Sequence, residues 1–175
     1  MFLNDWFKAE YWNALMSYIL KVFLDASVFN FYFDGKQGTK RRDTIKFFDA
    51  VEAGRYEVYS SLAVIEELEE APPQKYTQMI GLFEKYVKNK ILTTNAEIER
   101  LANLYVEKNI IPVNSMTDAL HIATATVNHL DFVVSCNMGH IVKQKTMIGT
   151  GFINFREGYR SIGLSSTMEV IAYDI

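Results

Sequence analysis

Cysteine, histidine and long apolar runs are scarce in this sequence. The single cysteine, Cys136, cannot form a disulfide within the chain, and a lone thiol is typical of a reducing compartment. No stretch approaches the roughly 20 apolar residues that a membrane-spanning helix needs. The first residues include Asp5 and Glu10 and lack a basic segment, which argues against a secretory signal. We therefore expect a cytoplasmic protein that is not embedded in a membrane.

An excess of positive charge is also missing. The net charge of −3 excludes a broadly basic nucleic-acid binder, although it is compatible with a nuclease that has a local basic patch and a metal. The histidines do not form a zinc motif, because His121 and His129 lie on one apolar segment and His140 is distant. We expect each of the three to have a structural role.

The sequence does contain enough apolar material for one folded domain, since 49% of its residues are hydrophobic and 14% are aromatic. Short apolar segments alternate with amphipathic ones. The predicted strands are 18–24, 56–60, 91–94, 132–135 and 162–164; the predicted helices are 40–53, 62–70, 74–87, 97–108, 117–130 and 143–157. Ser166 and Glu169 form a predicted capping box for a last short helical turn. Strands that alternate with helices imply right-handed βαβ units, and therefore an α/β fold with a mostly parallel sheet.

Polar side chains follow two of the predicted strands. Asp25 comes directly after the first strand, and Ser135 and Asn137 stand at the end of the strand at 132–135. Ligands of parallel sheets bind beyond the carboxyl ends of the strands, so these positions are candidates for a site. Each has a simpler alternative, because Asp is a common helix cap and Ser and Asn often form turns.

Two further acids are candidates. Asp118 is in the first turn of the helix at 117–130, which is otherwise apolar on nearly all sides; complementing the helix dipole is the alternative role. Glu67 can share the inward face of its helix, whereas Glu66, Glu69 and Glu70 suit a solvated face. Carboxylates gathered in one pocket repel one another unless a cation offsets the repulsion, and oxygen ligands suit Mg²⁺ or Mn²⁺.

Four segments of the chain resemble, in order, those of a PIN domain: FLDASVF, SLAVIEELEE, MTDALHIATA and DFVVSCNMGHI. The resemblance is to the single-domain members that include the VapC-like toxins. It implies a three-layer α/β/α sandwich with a mostly parallel central sheet and a metal-dependent RNase activity. It also implies that Asp25, Glu67 and Asp118 hold the metal and that Ser135 supplies a hydroxyl. The fourth acid of the family does not match, because Asn137 is nearest to its place and carries no charge.

The function implied by this resemblance is a metal-dependent endoribonuclease that hydrolyses RNA phosphodiester bonds with Mg²⁺ or Mn²⁺. Such proteins include the toxins of type II toxin–antitoxin pairs, so an antitoxin partner and a homodimer are expected, with no membrane partner. The alternative is a catalytically weak or inactive PIN-like module that binds RNA or protein, and Asn137 favours it. Residues 18–175 form the predicted domain, and residues 1–17 form a predicted helical extension.

Basic residues occur in two groups near the predicted site. They are Lys36, Lys40, Arg41 and Arg42 after the first strand, and Lys143 and Lys145 after Asn137. Both groups could contact RNA phosphates. The equal alternative is that these residues only form solvated faces of their helices.

Other α/β phosphoryl-transfer folds fit less well. A haloacid-type phosphatase needs an acid where this chain has Ser27, and a response-regulator receiver needs an acid pair and a lysine that are both missing. The sequence has no GxGxxG or GxxxxGK string for a nucleotide phosphate.

Overall fold

A computed structural model describes residues 18–36, 38–137 and 143–172. Within them, five strands form one sheet in the order β3-β2-β1-β4-β5, and every neighbouring pair is parallel. The strands are β1 (Leu20–Leu24), β2 (Tyr56–Ser61), β3 (Ile91–Leu92), β4 (Phe132–Val134) and β5 (Gly163–Ser165). This confirms the mostly parallel sheet predicted from the sequence. The predicted extension 1–17 and His140 lie outside the described residues.

Helices cover both faces of the sheet. They are α1 (Ala26–Tyr32), α2 (Gly38–Glu52), α3 (Leu62–Glu69), α4 (Pro73–Val87), α5 (Ala96–Glu107), α6 (Met116–Val127), α7 (Gln144–Arg156) and α8 (Thr167–Ala172). Right-handed crossovers place the helices between β1 and β3 on one face and those between β3 and β5 on the other. The contacts agree, because α2 packs against α1 and α8 while α5 packs against α6 and α7. The predicted three-layer α/β/α architecture is therefore confirmed.

The sheet order creates a switch point between β1 and β4. From β1 the chain moves outward to β2 and β3, and it then returns to form β4 on the other side of β1. The register aligns the ends of the two strands, with Leu24 opposite Val134. The carboxyl ends of β1 and β4 are therefore adjacent, at the kind of position where open α/β sheets bind ligands.

The core holds the end of β1 in place from both faces. Val22, Phe23 and Leu24 are completely buried, as expected for a strand covered by helices on both sides. Burying each such side chain contributes about 1.5–3 kcal/mol. The residue that follows, Asp25, is consequently attached to a strand end that is completely buried.

Helix α1 is the element that the sequence did not predict. Its segment, ASVFNFY, is apolar without helical periodicity, and the helix is set by its cap: the Asp25 side chain accepts a hydrogen bond from the Ser27 amide. At the other end of the chain, the predicted capping box is present, since Ser166 and Glu169 exchange side chain–backbone hydrogen bonds. Among the described helices, none combines the length and apolar character needed to cross a membrane.

Candidate active site

Asp25 is buried at the switch point and is fixed by two neighbours. Its Oδ1 accepts hydrogen bonds from the amide of Ser27 at 3.0 Å and from the hydroxyl of Ser27 at 2.6 Å. Its own amide donates to the carbonyl of Val134 at 3.3 Å. Asp25 therefore does cap a helix, and the same geometry orients its carboxyl group at the junction of β1 and β4.

The electrostatic surroundings of Asp25 are mixed. Burial raises the pKa of its carboxyl above the ordinary value, and the negative charge of Glu67 raises it further. The hydroxyls of Ser135 and Ser27 and the imidazole of His121 act in the opposite direction and lower that pKa. These effects place Glu67, His121 and both serines around one carboxylate. A cation at this point would offset the cost of keeping Asp25 ionised.

Two hydroxyl groups join the ends of β1 and β4. The amide of Cys136 donates to Ser27 Oγ at 2.8 Å, and Ser27 Oγ lies 3.5 Å from Ser135 Oγ. The amide of Asn137 donates to Ser135 Oγ at 2.9 Å. Sequence reasoning selected Ser135 but treated Ser27 only as a missing acid. The structure gives Ser27 a central place, because it contacts both Asp25 and the loop after β4.

Glu67 reaches the site from α3, which begins directly after β2. Its Oε1 lies 2.7 Å from Nε2 of His121. His121 is buried on α6, and its ring is 5.3 Å from the ring of Phe23 in β1. Because a carboxylate can only accept, the bond requires a proton on Nε2. His121, expected from the sequence to be structural, thus contacts a predicted site residue.

Asp118 lies in the first turn of α6, half-buried and one helical turn before His121. Residues three apart on a helix share a face, so Asp118 and His121 are neighbours on α6. Within residues 18–36, 38–137 and 143–172, however, no three His, Cys, Asp or Glu side chains gather into a set that could hold a metal. The described structure thus places Asp25 and Glu67 within electrostatic range of each other but does not complete a cluster of three acids.

The donor set that is present fits a hard cation. Mg²⁺ is commonly held by one or two carboxylates and completed by water and substrate phosphate, whereas zinc prefers nitrogen and sulfur. Asp25 and Glu67 supply two carboxylates, and the only cysteine is buried with a pKa that burial raises. That thiol, Cys136, lies after β4 rather than within a strand, beside the hydroxyls of Thr44 and Thr167.

The first basic group lies around the start of α2. Lys40 Nζ is 4.7 Å from the centre of the Phe31 ring, and its charge lowers the pKa of Cys136, which places Lys40 near the site. Arg41 is exposed and donates through Nε to the carbonyl of Tyr32. Arg42 is exposed and forms a loose 3.7 Å ion pair with Asp43. Lys36 is exposed just before the helix.

The second basic group lies at the start of α7. Lys143 and Lys145 line an open groove of about 330 Å³ together with Asn109, Ile110 and Pro112. Asn137, which is nearest to the place of the missing fourth acid, is exposed.

Comparison with known proteins supports the fold. No family model matches this sequence, and no curated protein does. Among solved structures, the chain is similar to one in the crystal structure of VapBC2 from Rickettsia felis bound to a DNA fragment from their promoter. The identity is 12% and the TM-score is 0.54, over 84% of this chain and 98% of that one. A likeness at this identity establishes a shared fold, and that fold agrees with the PIN-like architecture expected from the sequence.

Proposed function

We propose that this protein is a metal-dependent endoribonuclease that hydrolyses RNA phosphodiester bonds and is the toxin of a toxin–antitoxin pair. The observation that carries the proposal is Asp25: a buried carboxylate at the switch point of a parallel sheet, close enough to Glu67 for the two charges to oppose each other. Burial makes the ionised form of this acid costly, and groups with perturbed pKa values cluster at functional sites. The fold shared with VapBC2 is consistent with this function.

Asp25, Glu67 and Asp118 would hold Mg²⁺ or Mn²⁺, directly or through water. The bound cation would supply a water of lowered pKa and would offset charge at the phosphate. The chain's own residues prepare this site. Ser27 fixes the orientation of Asp25, and His121 fixes that of Glu67. Ser135 and Asn137, at the end of β4, would contact bound water or the phosphate with hydroxyl and amide groups.

RNA would be held by basic side chains on both sides of this edge. Lys40, Arg41 and Arg42 begin α2, and Lys143 and Lys145 begin α7. Contacts to phosphate supply affinity without sequence preference, and a local patch is sufficient for a protein of net negative charge.

A second candidate function is an inactive PIN-like module that binds RNA or protein. Two observations favour it: Asn137 occupies the place nearest to the fourth acid, and the described residues do not assemble three acidic ligands. In that case Asp25 and its hydroxyl neighbours would serve only to cap α1 and join β1 to β4.

One assay separates these functions. The full chain is incubated with labelled RNA and with Mn²⁺ or Mg²⁺, and parallel reactions contain EDTA. We expect cleavage that requires the metal and is abolished by Asp25→Asn and by Glu67→Gln. Glu66→Gln is the matched control, because Glu66 is exposed on the same helix. Cleavage that persists in EDTA or in Asp25→Asn contradicts the nuclease proposal, and RNA binding without cleavage supports the inactive module.

The toxin role and the expected homodimer need separate measurements. Induced expression should arrest growth of the host cell, and Asp25→Asn should relieve the arrest because the variant cannot cleave RNA. A small protein encoded beside this one should restore growth and co-purify with the chain. Light scattering of the purified chain should give twice the monomer mass if it is a homodimer.

A further inference from the structure

Helix α7 carries a row of apolar side chains that faces solvent. Ile148, Phe152 and Phe155 follow the i, i+4, i+7 spacing of one helix face and are 64%, 65% and 81% exposed. The opposite side of the helix packs into the domain through Ile153 and Asn154. Single exposed apolar residues are ordinary, but two phenylalanines and an isoleucine in one row form an apolar surface of the kind found at interaction sites.

The beginning of the described chain lies beside the end of this helix. The hydroxyl of Tyr18 contacts both carboxylate oxygens of Asp131 at 3.1–3.2 Å. Arg160, which follows shortly after the last residue of α7, pairs with the same carboxylate at 3.0 Å. Tyr18 is therefore held next to the segment into which α7 leads. Residues 1–17 are joined to Tyr18, and Tyr18 shares its Asp131 partner with Arg160, five residues beyond Phe155.

Residues 1–17 have the chemistry that such a surface needs. Five of them are aromatic: Phe2, Trp6, Phe7, Tyr11 and Trp12. A segment of 17 residues spans about 25 Å as a helix and up to about 60 Å when extended, whereas the 13 residues of α7 span about 20 Å. The segment can thus reach along the whole row in either conformation.

We propose that residues 1–17 dock on the apolar face of α7 formed by Ile148, Phe152 and Phe155. The covalent connection at Tyr18 favours this occupant over a second molecule, because a short tether gives an effective concentration in the millimolar range. Burial of aromatic side chains against this row would remove apolar surface on both partners from water. The proposal does not depend on the proposed nuclease activity.

The tryptophans of the chain make the docking directly measurable. Both of them, Trp6 and Trp12, belong to residues 1–17, so intrinsic tryptophan fluorescence reports on this segment alone. In the unmodified full chain we expect blue-shifted emission and weak quenching by acrylamide. The double variant Phe152→Ser, Phe155→Ser should shift the emission to the wavelength of an indole in water and raise the quenching constant several-fold.

Matched controls are Val113→Ser and Met168→Ser, which remove exposed apolar side chains outside α7 and should leave the emission unchanged. Circular dichroism verifies that each variant is folded, and Ile148→Ser supplies an independent disruption of the same row. Three results overturn the proposal: solvent-exposed emission in the unmodified chain, emission that the α7 variants do not alter, and protection that disappears on dilution. The last would identify a second copy as the occupant.

Discussion

Nε2 of His121 lies 2.7 Å from Oε1 of Glu67, and this bond links α6 to α3 across the carboxyl edge of the sheet. The imidazole is buried against Phe23 and the carboxylate is partly exposed, so His121 is the fixed member of the pair. The bond fixes Oε1 of Glu67, and it thereby also sets the orientation of the second oxygen of the same carboxylate. Hydrogen bonds of this kind to a metal ligand set its orientation and its affinity.

Replacing His121 should therefore weaken the metal dependence of the proposed nuclease. We expect His121→Ala to raise the Mn²⁺ concentration at half-maximal activity by about 10–100-fold, the usual effect of removing a group that orients a ligand. His121→Gln, which can still donate to Glu67, should recover part of the loss. The measurement is a Mn²⁺ titration of cleavage, repeated by direct calorimetric Mn²⁺ binding so that affinity is separated from turnover.

The control for this experiment is His129→Asn, just beyond the end of the same helix. His129 has a positive φ of 57°, which Asn tolerates, and it is exposed, so the change should leave Mn²⁺ binding unaltered. Equal Mn²⁺ affinities in His121→Ala and the unmodified chain would show that the Glu67 bond has no influence on the metal.

Asp25→Asn should stabilise the folded protein while it removes activity. The pKa of Asp25 is raised in the folded state, chiefly by burial, so its ionised form disfavours folding at neutral pH. Asn can accept the same hydrogen bonds from Ser27 without a charge. In EDTA at neutral pH, we expect a gain of about 1 kcal/mol, which raises the Tm of a domain of this size by about 2–4 °C.

The pH dependence provides the control for that prediction. A group with a raised folded pKa contributes stability at low pH and loses it as the pH rises through that pKa. The difference in Tm between Asp25→Asn and the unmodified chain should therefore shrink as the solution is acidified. A lower Tm for Asp25→Asn at neutral pH would mean that the cap and the Ser27 bonds need the charge.

Much of the fold was predictable because its elements have strong local patterns. Helix α5 shows the i, i+3, i+4, i+7 spacing, with Ile98, Leu101, Ala102 and Tyr105 all buried, and the predicted bounds were close. Helix α1 was missed because its apolar segment lacks that spacing. Its position depends on Asp25 as a cap, and a cap is only a local preference until the helix after it is known.

The site was predictable to the extent that the family resemblance and the strand ends indicated it. The negative charge of Glu67 raises the pKa of Asp25, so the two acids are within electrostatic range of each other, while their role as metal ligands stays a prediction. The contributions of Ser27 and His121 could not be foreseen, because they depend on β4 lying beside β1 and on α3 facing α6. The spacing of three between Asp118 and His121 indicates only that the two side chains share one face of the helix.

Charge reversal at the start of α2 should weaken RNA binding. Arg41 and Arg42 are exposed, and each phosphate contact that is lost lowers the slope of log K against log salt by about 0.7 for a single strand. Arg41→Glu with Arg42→Glu should therefore flatten the slope by up to about 1.4, measured by fluorescence anisotropy with the Asp25→Asn protein to prevent cleavage. Lys46→Glu with Lys88→Glu, an equal charge change at exposed positions, should have a much smaller effect. Equal losses in both pairs would assign the effect to net charge.

A buried polar network joins α5, α6 and α7 on one face of the sheet. Breaking this network should lower the stability of the folded protein. Tyr105 on α5 donates its hydroxyl to Asn154 on α7, whose amide donates to Thr126 Oγ1 on α6 at 3.2 Å. Thr126 in turn donates to the carbonyl of Ile122 at 2.8 Å, and burial raises the pKa of Tyr105, so its phenol stays neutral. Tyr105→Phe leaves the buried Asn154 oxygen without this donor, which costs about 1–3 kcal/mol.

Chemical denaturation measures this cost, and Tyr159→Phe is the matched control. The Tyr159 hydroxyl also donates to an acceptor, Glu97, but this hydrogen bond is exposed to solvent, so its removal should cost less than about 0.5 kcal/mol. In a double-mutant cycle, Tyr105→Phe and Asn154→Ala should be less than additive, because either change alone already breaks their shared bond. Strict additivity, or a Tyr105→Phe cost no larger than that of Tyr159→Phe, would show that the packing of α5, α6 and α7 does not depend on this bond.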